Sequence, residues 1–246
     1  MDSISSIPVV LITGAARRVG AVIARTLHAA GMNVVLHYRS SADEARALRD
    51  ELVAARTHSA ITLQADLLDF DHLPALVEQA AASWGRLDCL VNNASSFYPT
   101  AVTGTSAAAW DDLMGTNLRA PYILSAAATP WLRIARGCIV NIVDIYAERP
   151  LKGYPVYSIA KAGLAMLTKA LAQELGPEIR VNAVAPGIIL WPDQAINDGY
   201  KDGLLGRTAL RRIGSPLEIA QAVRFLVREA TYTSGHILNV DGGRLL

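Results

Sequence analysis

The sequence predicts an α/β fold: one parallel sheet of about seven strands with helices on both faces. Three observations carry this. Short β-rich runs alternate with helical stretches from one end of the 246-residue chain to the other. The apolar strand runs do not alternate with polar residues, as burial on both faces requires. The composition, 52% hydrophobic with a mean hydropathy of +0.26, is rich enough to supply such a sheet. Strand, helix, strand at this spacing implies right-handed crossovers between parallel neighbours.

Strands are expected at 9–13, 33–38, 60–64, 87–92, 138–143, 180–185 and 237–240. Helices are expected from the first strand to about residue 30, then at 42–55, 69–84, 107–117, 120–132, 154–175 and 216–228. No repeat, low-complexity stretch or linker divides the chain, so residues 1–246 read as a single domain. The least regular segment is 187–214, which holds Pro192, Gly199, Gly203 and Gly206 and suits a substrate lid.

Charge and cysteine usage narrow the function classes. Lys and Arg total 23 against 22 Asp and Glu, so no polyanion or membrane surface is indicated as a partner. Nucleic acid and membrane are therefore not expected, and no metal site is assigned. Cys89 and Cys138 sit in apolar strand runs and read as buried free thiols of a reducing compartment. The N-terminus lacks a basic stretch before an apolar one, and no apolar run approaches the ~20 residues of a spanning helix. A cytoplasmic location is the expectation.

The first strand runs into Thr13-Gly14-Ala15-Ala16-Arg17-Arg18-Val19-Gly20. Gly14 allows a tight turn, Gly20 allows close helix–strand packing, and the helix N-terminus offers free N–H groups to a phosphate. Arg18 stands beside the positive end of the helix dipole, an unfavourable place unless an anion compensates. It could reach a diphosphate or a substrate; the competing reading is a solvated helix-start arginine. The second strand ends in His37-Tyr38-Arg39-Ser40-Ser41, with no acidic residue before Asp43. NAD-preferring domains place a carboxylate there for the ribose 2′-hydroxyl. Arg39 and Ser40 suit a 2′-phosphate instead, so NADPH is preferred to NADH. Asp66, just past the third strand, suits either the adenine amino group or a helix cap. Asn92-Asn93-Ala94 ends the fourth strand, where the backbone would line the cofactor cleft.

Tyr157 and Lys161 are four apart in a helical stretch and share one face. A free phenol, with a pKa near ~10, is a poor proton donor and acceptor at neutral pH. A nearby ammonium is expected to lower that value and let the pair pass a proton. Tyr-x-x-x-Lys is common by chance; its weight comes from standing after a glycine turn and a fifth strand.

Here the chain resembles the short-chain dehydrogenase/reductase family over essentially its whole length. The resemblance rests on Thr13-Gly14…Gly20, Asn92-Asn93-Ala94, Asn117, Tyr157-Ser158-Ile159-Ala160-Lys161, Arg180-Val181-Asn182…Pro186-Gly187 and Val240-Asp241-Gly242-Gly243. It implies a doubly wound, Rossmann-type sheet, Tyr157 as the acid, Lys161 as its partner on the nicotinamide ribose, and Asn117 holding a relay water. It also implies Pro186, Gly187 and the next residues, Ile189 among them, at the nicotinamide carboxamide.

The family's usual serine, thirteen residues before the tyrosine, is replaced by Asp144. A carboxylate would repel a developing oxyanion, which disfavours ordinary ketone reduction. It suits a substrate that carries N–H donors or takes a proton on ring nitrogen, such as a fused aminopyrimidine. Arg18, Asp144 and Asn93-Ala94-Ser95-Ser96-Phe97-Tyr98-Pro99 together resemble the pteridine reductase branch, as does the cofactor loop containing Tyr38, Arg39 and Ser40. That resemblance implies NADPH reduction of dihydropteridines or dihydrofolate, with Ser95 touching cofactor and pterin and Phe97 stacking on the pterin. Trp191 is expected to line the lid, or to be a hydrophobic hinge. Tyr154 would line the pocket or begin the helix, and Tyr98 would sit at the rim. A homotetramer on the two long helices is implied by the family. Two rivals remain: a reductase of another carbonyl, such as a 3-oxoacyl thioester, and a non-catalytic NADPH-binding sensor.

Overall fold

The computed structural model describes residues 6–190 and 198–246. Seven strands form one sheet: β1 Val9–Ile12, β2 Asn33–Tyr38, β3 Ala60–Gln64, β4 Cys89–Asn92, β5 Cys138–Ile142, β6 Arg180–Pro186 and β7 Ile237–Val240. Their order is β3-β2-β1-β4-β5-β6-β7, and every neighbouring pair is parallel. The helices are α1 Arg18–Ala29, α2 Ala42–Ala55, α3 Leu73–Ala82, α4 Ala107–Met114, α5 Ala120–Ala135, α6 Pro155–Leu175, α7 Asp198–Leu205 and α8 Pro216–Arg228.

The two-residue period of a strand divides the core between the sheet's faces. Val10, Ile12, Val34, Leu36, Val91 and Val140 pack with Ile23 and Leu27 of α1 and Val223 of α8. Their alternates Val9, Leu11, Val35, Leu90 and Ile139 pack on the other face with Val77 of α3 and Leu124 of α5. Burying both faces explains why consecutive apolar residues such as Val34, Val35 and Leu36 do not alternate with polar ones. Helix ends follow local chemistry. Ser215 and Glu218 form a capping box at α8. Arg180 satisfies the last carbonyls of that helix, donating to Leu226 and Val227 at 2.8 and 3.1 Å.

Strand order reverses direction between β1 and β4, and the crevice at their carboxyl ends is where such sheets bind ligands. Thr13, one residue past β1, stitches this edge. Its hydroxyl accepts the backbone N–H groups of Asn93 and Ala94 at 2.9 and 3.0 Å. Cys89 and Cys138 are paired across β4 and β5 as buried free thiols, their sulfurs 3.7 Å apart. No helix among the described residues is long and apolar enough to cross a membrane.

Two segments differ from expectation. The 107–117 stretch is helical only to Met114; Gly115–Arg119 then widens into a π-turn before α5. Within 187–214, read as irregular, α7 forms over Asp198–Leu205. Trp191, expected to line the lid, lies outside the described residues.

Candidate active site

The glycine turn is built for close approach. Gly14 adopts φ +62°, and a Cβ on Gly20 would stand 2.3 Å from the Gly14 carbonyl oxygen. Glycine is therefore required at Gly20 by packing against the turn. His37, buried at the end of β2, holds the turn from beneath. Its Nδ1 accepts the Gly14 N–H at 3.1 Å and its Nε2 lies 3.2 Å from the Ala65 carbonyl. That pairing fixes the neutral tautomer with its proton on Nε2, and burial pushes the imidazole down to about 4. The Asn93 amide completes the turn, donating to the carbonyls of Thr13 and Gly14 at 2.9 and 3.1 Å. Asn93 and Ala94 thus shape the cleft wall.

These residues fit a dinucleotide. The turn offers the N-terminus of α1, which the Arg17 side chain does not cap. Tyr38, Arg39 and Ser40 follow β2 directly, the latter two exposed, with the Arg39 carbonyl tied to Gln64 at 3.1 Å. Arg18 opens α1 at φ +52°, a left-handed conformation rare outside glycine, and is exposed. It lines a groove of about 850 Å³ with Arg17, Glu44 and Leu190. Asp66 turns its Oδ1 to the Leu68 N–H at 3.0 Å, so it caps the local turn while remaining exposed. At the far wall the Gly187 N–H donates to Val240 at 3.0 Å, and a Cβ on Gly187 would stand 2.7 Å from Asp241 Cα. Ile189 is buried behind Pro186 and Gly187.

The reactive groups converge beyond the end of β5. Asp144 has extended backbone and caps a short turn, Oδ1 accepting the Tyr146 N–H at 2.9 Å. Its Oδ2 accepts the Tyr157 hydroxyl at 2.8 Å. One carboxylate thus caps the turn and holds the phenol together. Tyr157 and Lys161 lie one turn apart on α6, both buried. Lys161 Nζ donates to the Ile142 carbonyl at 2.9 Å and sits 5.7 Å from the Tyr157 ring centroid.

This arrangement corrects one expectation. The ammonium was expected to lower the Tyr157 pKa. Instead burial, reinforced by the Asp144 charge, pushes the phenol well above its ordinary value. Lys161 is aimed at the Ile142 carbonyl, and burial brings the ammonium down to about 8. Burial also raises Asp144, against the pull of the Tyr146 N–H, the Tyr157 hydroxyl and Lys161. The phenol is consequently a neutral donor pointed at a carboxylate.

Asn117 lies in the π-turn, fully buried. Its amide donates to Leu113 and Ser96 carbonyls at 2.9 and 3.0 Å, and its Oδ1 accepts from Ser95 at 2.7 Å. A π-turn leaves carbonyls without their usual helical donors, and the amide takes up the one at Leu113. Phe97 is 49% exposed and stacks on Tyr154 at 4.7 Å and 11°, with Tyr157 edge-on at 4.8 Å. Tyr154 thus both precedes α6 and stacks on Phe97. The sequence missed the part played by His37, although a buried histidine after the apolar run Val34-Val35-Leu36 was a usable signal. It also missed Asp112, which sits on a helix face with nothing to mark it.

A glycine turn at a sheet's switch point, joined to a tyrosine–lysine pair, defines a nicotinamide-dependent oxidoreductase. Residues 14–244 match the family model described as enoyl-(acyl carrier protein) reductase. The chain is 38% identical to pteridine reductase 1 of Leishmania tarentolae over 99% of this chain and 98% of that protein. It is 35% identical to a 3-oxoacyl-(acyl-carrier-protein) reductase of Staphylococcus aureus, covering 95% of this chain and 96% of the relative. The corresponding reductase of Staphylococcus epidermidis is also 35% identical, over 95% of this chain and 97% of its own length. The chain belongs to the short-chain dehydrogenase/reductase family, and it is a reductase of that family.

Proposed function

We propose that this reductase uses NADPH to convert dihydropteridines, of the dihydrobiopterin or dihydromonapterin kind, and dihydrofolate to their tetrahydro forms. The observation that carries this reading is the Asp144 carboxylate, 2.8 Å from the Tyr157 hydroxyl, where the general family pattern has a serine. Reduction of a C=N bond needs a hydride at carbon and a proton at nitrogen. A carboxylate beside a neutral phenol is a proton-holding pair, and it also accepts from the N–H groups of an aminopyrimidine.

The bound nicotinamide supplies the hydride. Lys161 orients the ribose that carries it, with Asn117 fixing Ser95 and the π-turn nearby. Gly14, Gly20 and Arg18 receive the diphosphate, Asp66 the adenine, and Arg39 with Ser40 the 2′-phosphate. Tyr38, Asn93, Ala94, Pro186, Gly187 and Ile189 complete the cofactor wall. Phe97 backs the substrate ring, itself supported by Tyr154, and aromatic stacking there is worth roughly 0.5–1.5 kcal/mol beyond area burial. Arg18, Ser95 and Trp191 are assigned to the substrate as well, the last with segment 187–214 acting as a lid. Residues 1–246 act as a single cytoplasmic domain. Four copies associate through α5 and α6, where Tyr122, Ile159 and Met166 are exposed.

A second reading has specific support, because the staphylococcal relatives are named 3-oxoacyl reductases. Asp144 weighs against it through repulsion of an oxyanion. NADPH oxidation measured with dihydrobiopterin, dihydrofolate and acetoacetyl thioester side by side separates the two. Turnover with the pteridine is expected; turnover with the thioester alone overturns the proposal.

A further inference from the structure

We infer that Asp112 on α4 is a positioning residue that clamps the substrate-facing strap on both sides of Phe97 and so tunes recognition of a flat heterocycle. This rests on the pteridine reading above. The strap follows β4 and carries Ser95, Ser96, Phe97 and Tyr98. Asp112 Oδ1 accepts from Ser96 Oγ at 3.2 Å, and Oδ2 accepts from Tyr98 Oη at 2.9 Å. The two residues flanking Phe97 are therefore tied to one carboxylate.

Other ties fix the ends of the strap. The Ser96 carbonyl accepts from Asn117 Nδ2 at 3.0 Å, and the Thr100 N–H donates to the Gly153 carbonyl at 2.8 Å. Tyr98 Oη also lies 3.2 Å from the Ala109 carbonyl, seating the phenol on α4. Between these anchors the Phe97 ring stays half-exposed against Tyr154.

The chemistry of the clamp calls for a carboxylate. Two hydroxyl donors meet its two oxygens, one on each, and a carboxylate accepts both with charge assistance. Burial and the Asp112 charge raise the Tyr98 phenol, so it stays a donor across the working pH range. A pre-ordered strap spares the complex the entropy of fixing Phe97 on binding. Asp112 itself bonds to Ser96 and Tyr98 and to no reacting group, so its loss is expected in substrate affinity more than in hydride transfer.

The test is a kinetic cycle with dihydrobiopterin and NADPH. Asp112→Ala is expected to raise the pterin KM about ten-fold, while kcat and the NADPH Kd stay within about two-fold. In a Phe97→Ala background the same substitution should change KM by less than about two-fold, because coupled residues are non-additive. Asp112→Asn keeps one carbonyl acceptor and should recover part of the loss. Should Asp112→Ala fold poorly, Ser96→Ala and Tyr98→Phe each cut a single tie and are expected to raise KM about three-fold. Full additivity with Phe97→Ala, or an equal loss in kcat and NADPH affinity, overturns the clamp. Wild-type silence on dihydrobiopterin overturns the pteridine reading and the clamp together; wild-type turnover with unchanged KM in Asp112→Ala overturns the clamp alone.

Discussion

Tyr157 donates its hydroxyl proton to Asp144 across 2.8 Å, and Asp144 is held from the other side by the Tyr146 N–H at 2.9 Å. The carboxylate cannot rotate away without losing both bonds, so the phenol and the acid act as one proton store. Tyr157→Phe removes the donor and leaves the enclosed carboxylate short of a partner. We expect kcat to fall about 10²–10⁴-fold, the usual scale for a lost general acid, with NADPH binding retained. Asp144→Ser restores the common family residue and should lower pterin turnover while leaving the fold intact. An unchanged kcat in either variant, measured by NADPH oxidation, would remove that residue from the mechanism.

Lys161 sets a pH-dependent stability that opposes its catalytic use. Burial lowers the ammonium from 10.5 to about 8 in the folded protein. Below about 8 the lysine is charged in both folded and unfolded chains, and the folded one bears the full burial penalty. Between about 8 and 10.5 the folded chain loses its proton first and the penalty fades; above 10.5 it is gone. The stability a depressed base contributes is thus present above its unfolded pKa and lost as pH falls through the folded one. The full swing is ~3 kcal/mol at one pKa unit per 1.36 kcal/mol. Lys161→Met should therefore be inactive yet more stable at pH 7 by about a few degrees in Tm. That excess should shrink as pH rises through 8 to 10.5. A lower Tm at pH 7 would mean that the bond to Ile142 and the attraction to Asp144 outweigh burial.

The sequence exposed the parts of this fold that follow from burial and periodicity. Uniformly apolar strands such as Val34, Val35 and Leu36 announced a sheet covered on both faces. The spacing of Tyr157 and Lys161 placed them on one side of a helix. What escaped depends on where a long side chain ends. Lys161 could reach the phenol by sequence, yet its Nζ goes to the Ile142 carbonyl at 2.9 Å. The π-turn at Gly115–Arg119 has no distinctive composition, because it lies in the backbone hydrogen-bond spacing and not in the residue types. α7 was obscured by Gly199, Gly203 and Gly206, which weaken a helical pattern. Asp112 resembles any exposed helix acid until Ser96 and Tyr98 are seen on either side of it.

Arg39 separates the two nicotinamide cofactors. It is exposed just past β2, with no acidic residue before Asp43. A 2′-phosphate would gain a charge-assisted bond from its guanidinium that a 2′-hydroxyl cannot match. Arg39→Ala should raise the NADPH KM about ten-fold or more and leave the NADH KM nearly unchanged, with no change in Tm for a surface site. An equal effect on both cofactors would end the assignment.

Arg18 holds a backbone conformation that a glycine would hold at less cost. Its φ of +52° opens α1 in the left-handed region that favours glycine. A non-glycine residue there costs on the order of 1 kcal/mol, and such strain persists where the side chain has a use. Two substitutions separate backbone from side chain. Arg18→Gly should stabilise the protein by up to about 1 kcal/mol through relief of the left-handed conformation, while weakening cofactor and pterin binding. Arg18→Ala keeps the strain and loses the guanidinium, so binding should weaken equally with no gain in stability. Thermal melts alongside NADPH and pterin titrations read both effects. Equal stability in the two variants would show that the turn is not strained, and unaltered binding in both would show that the guanidinium meets neither ligand.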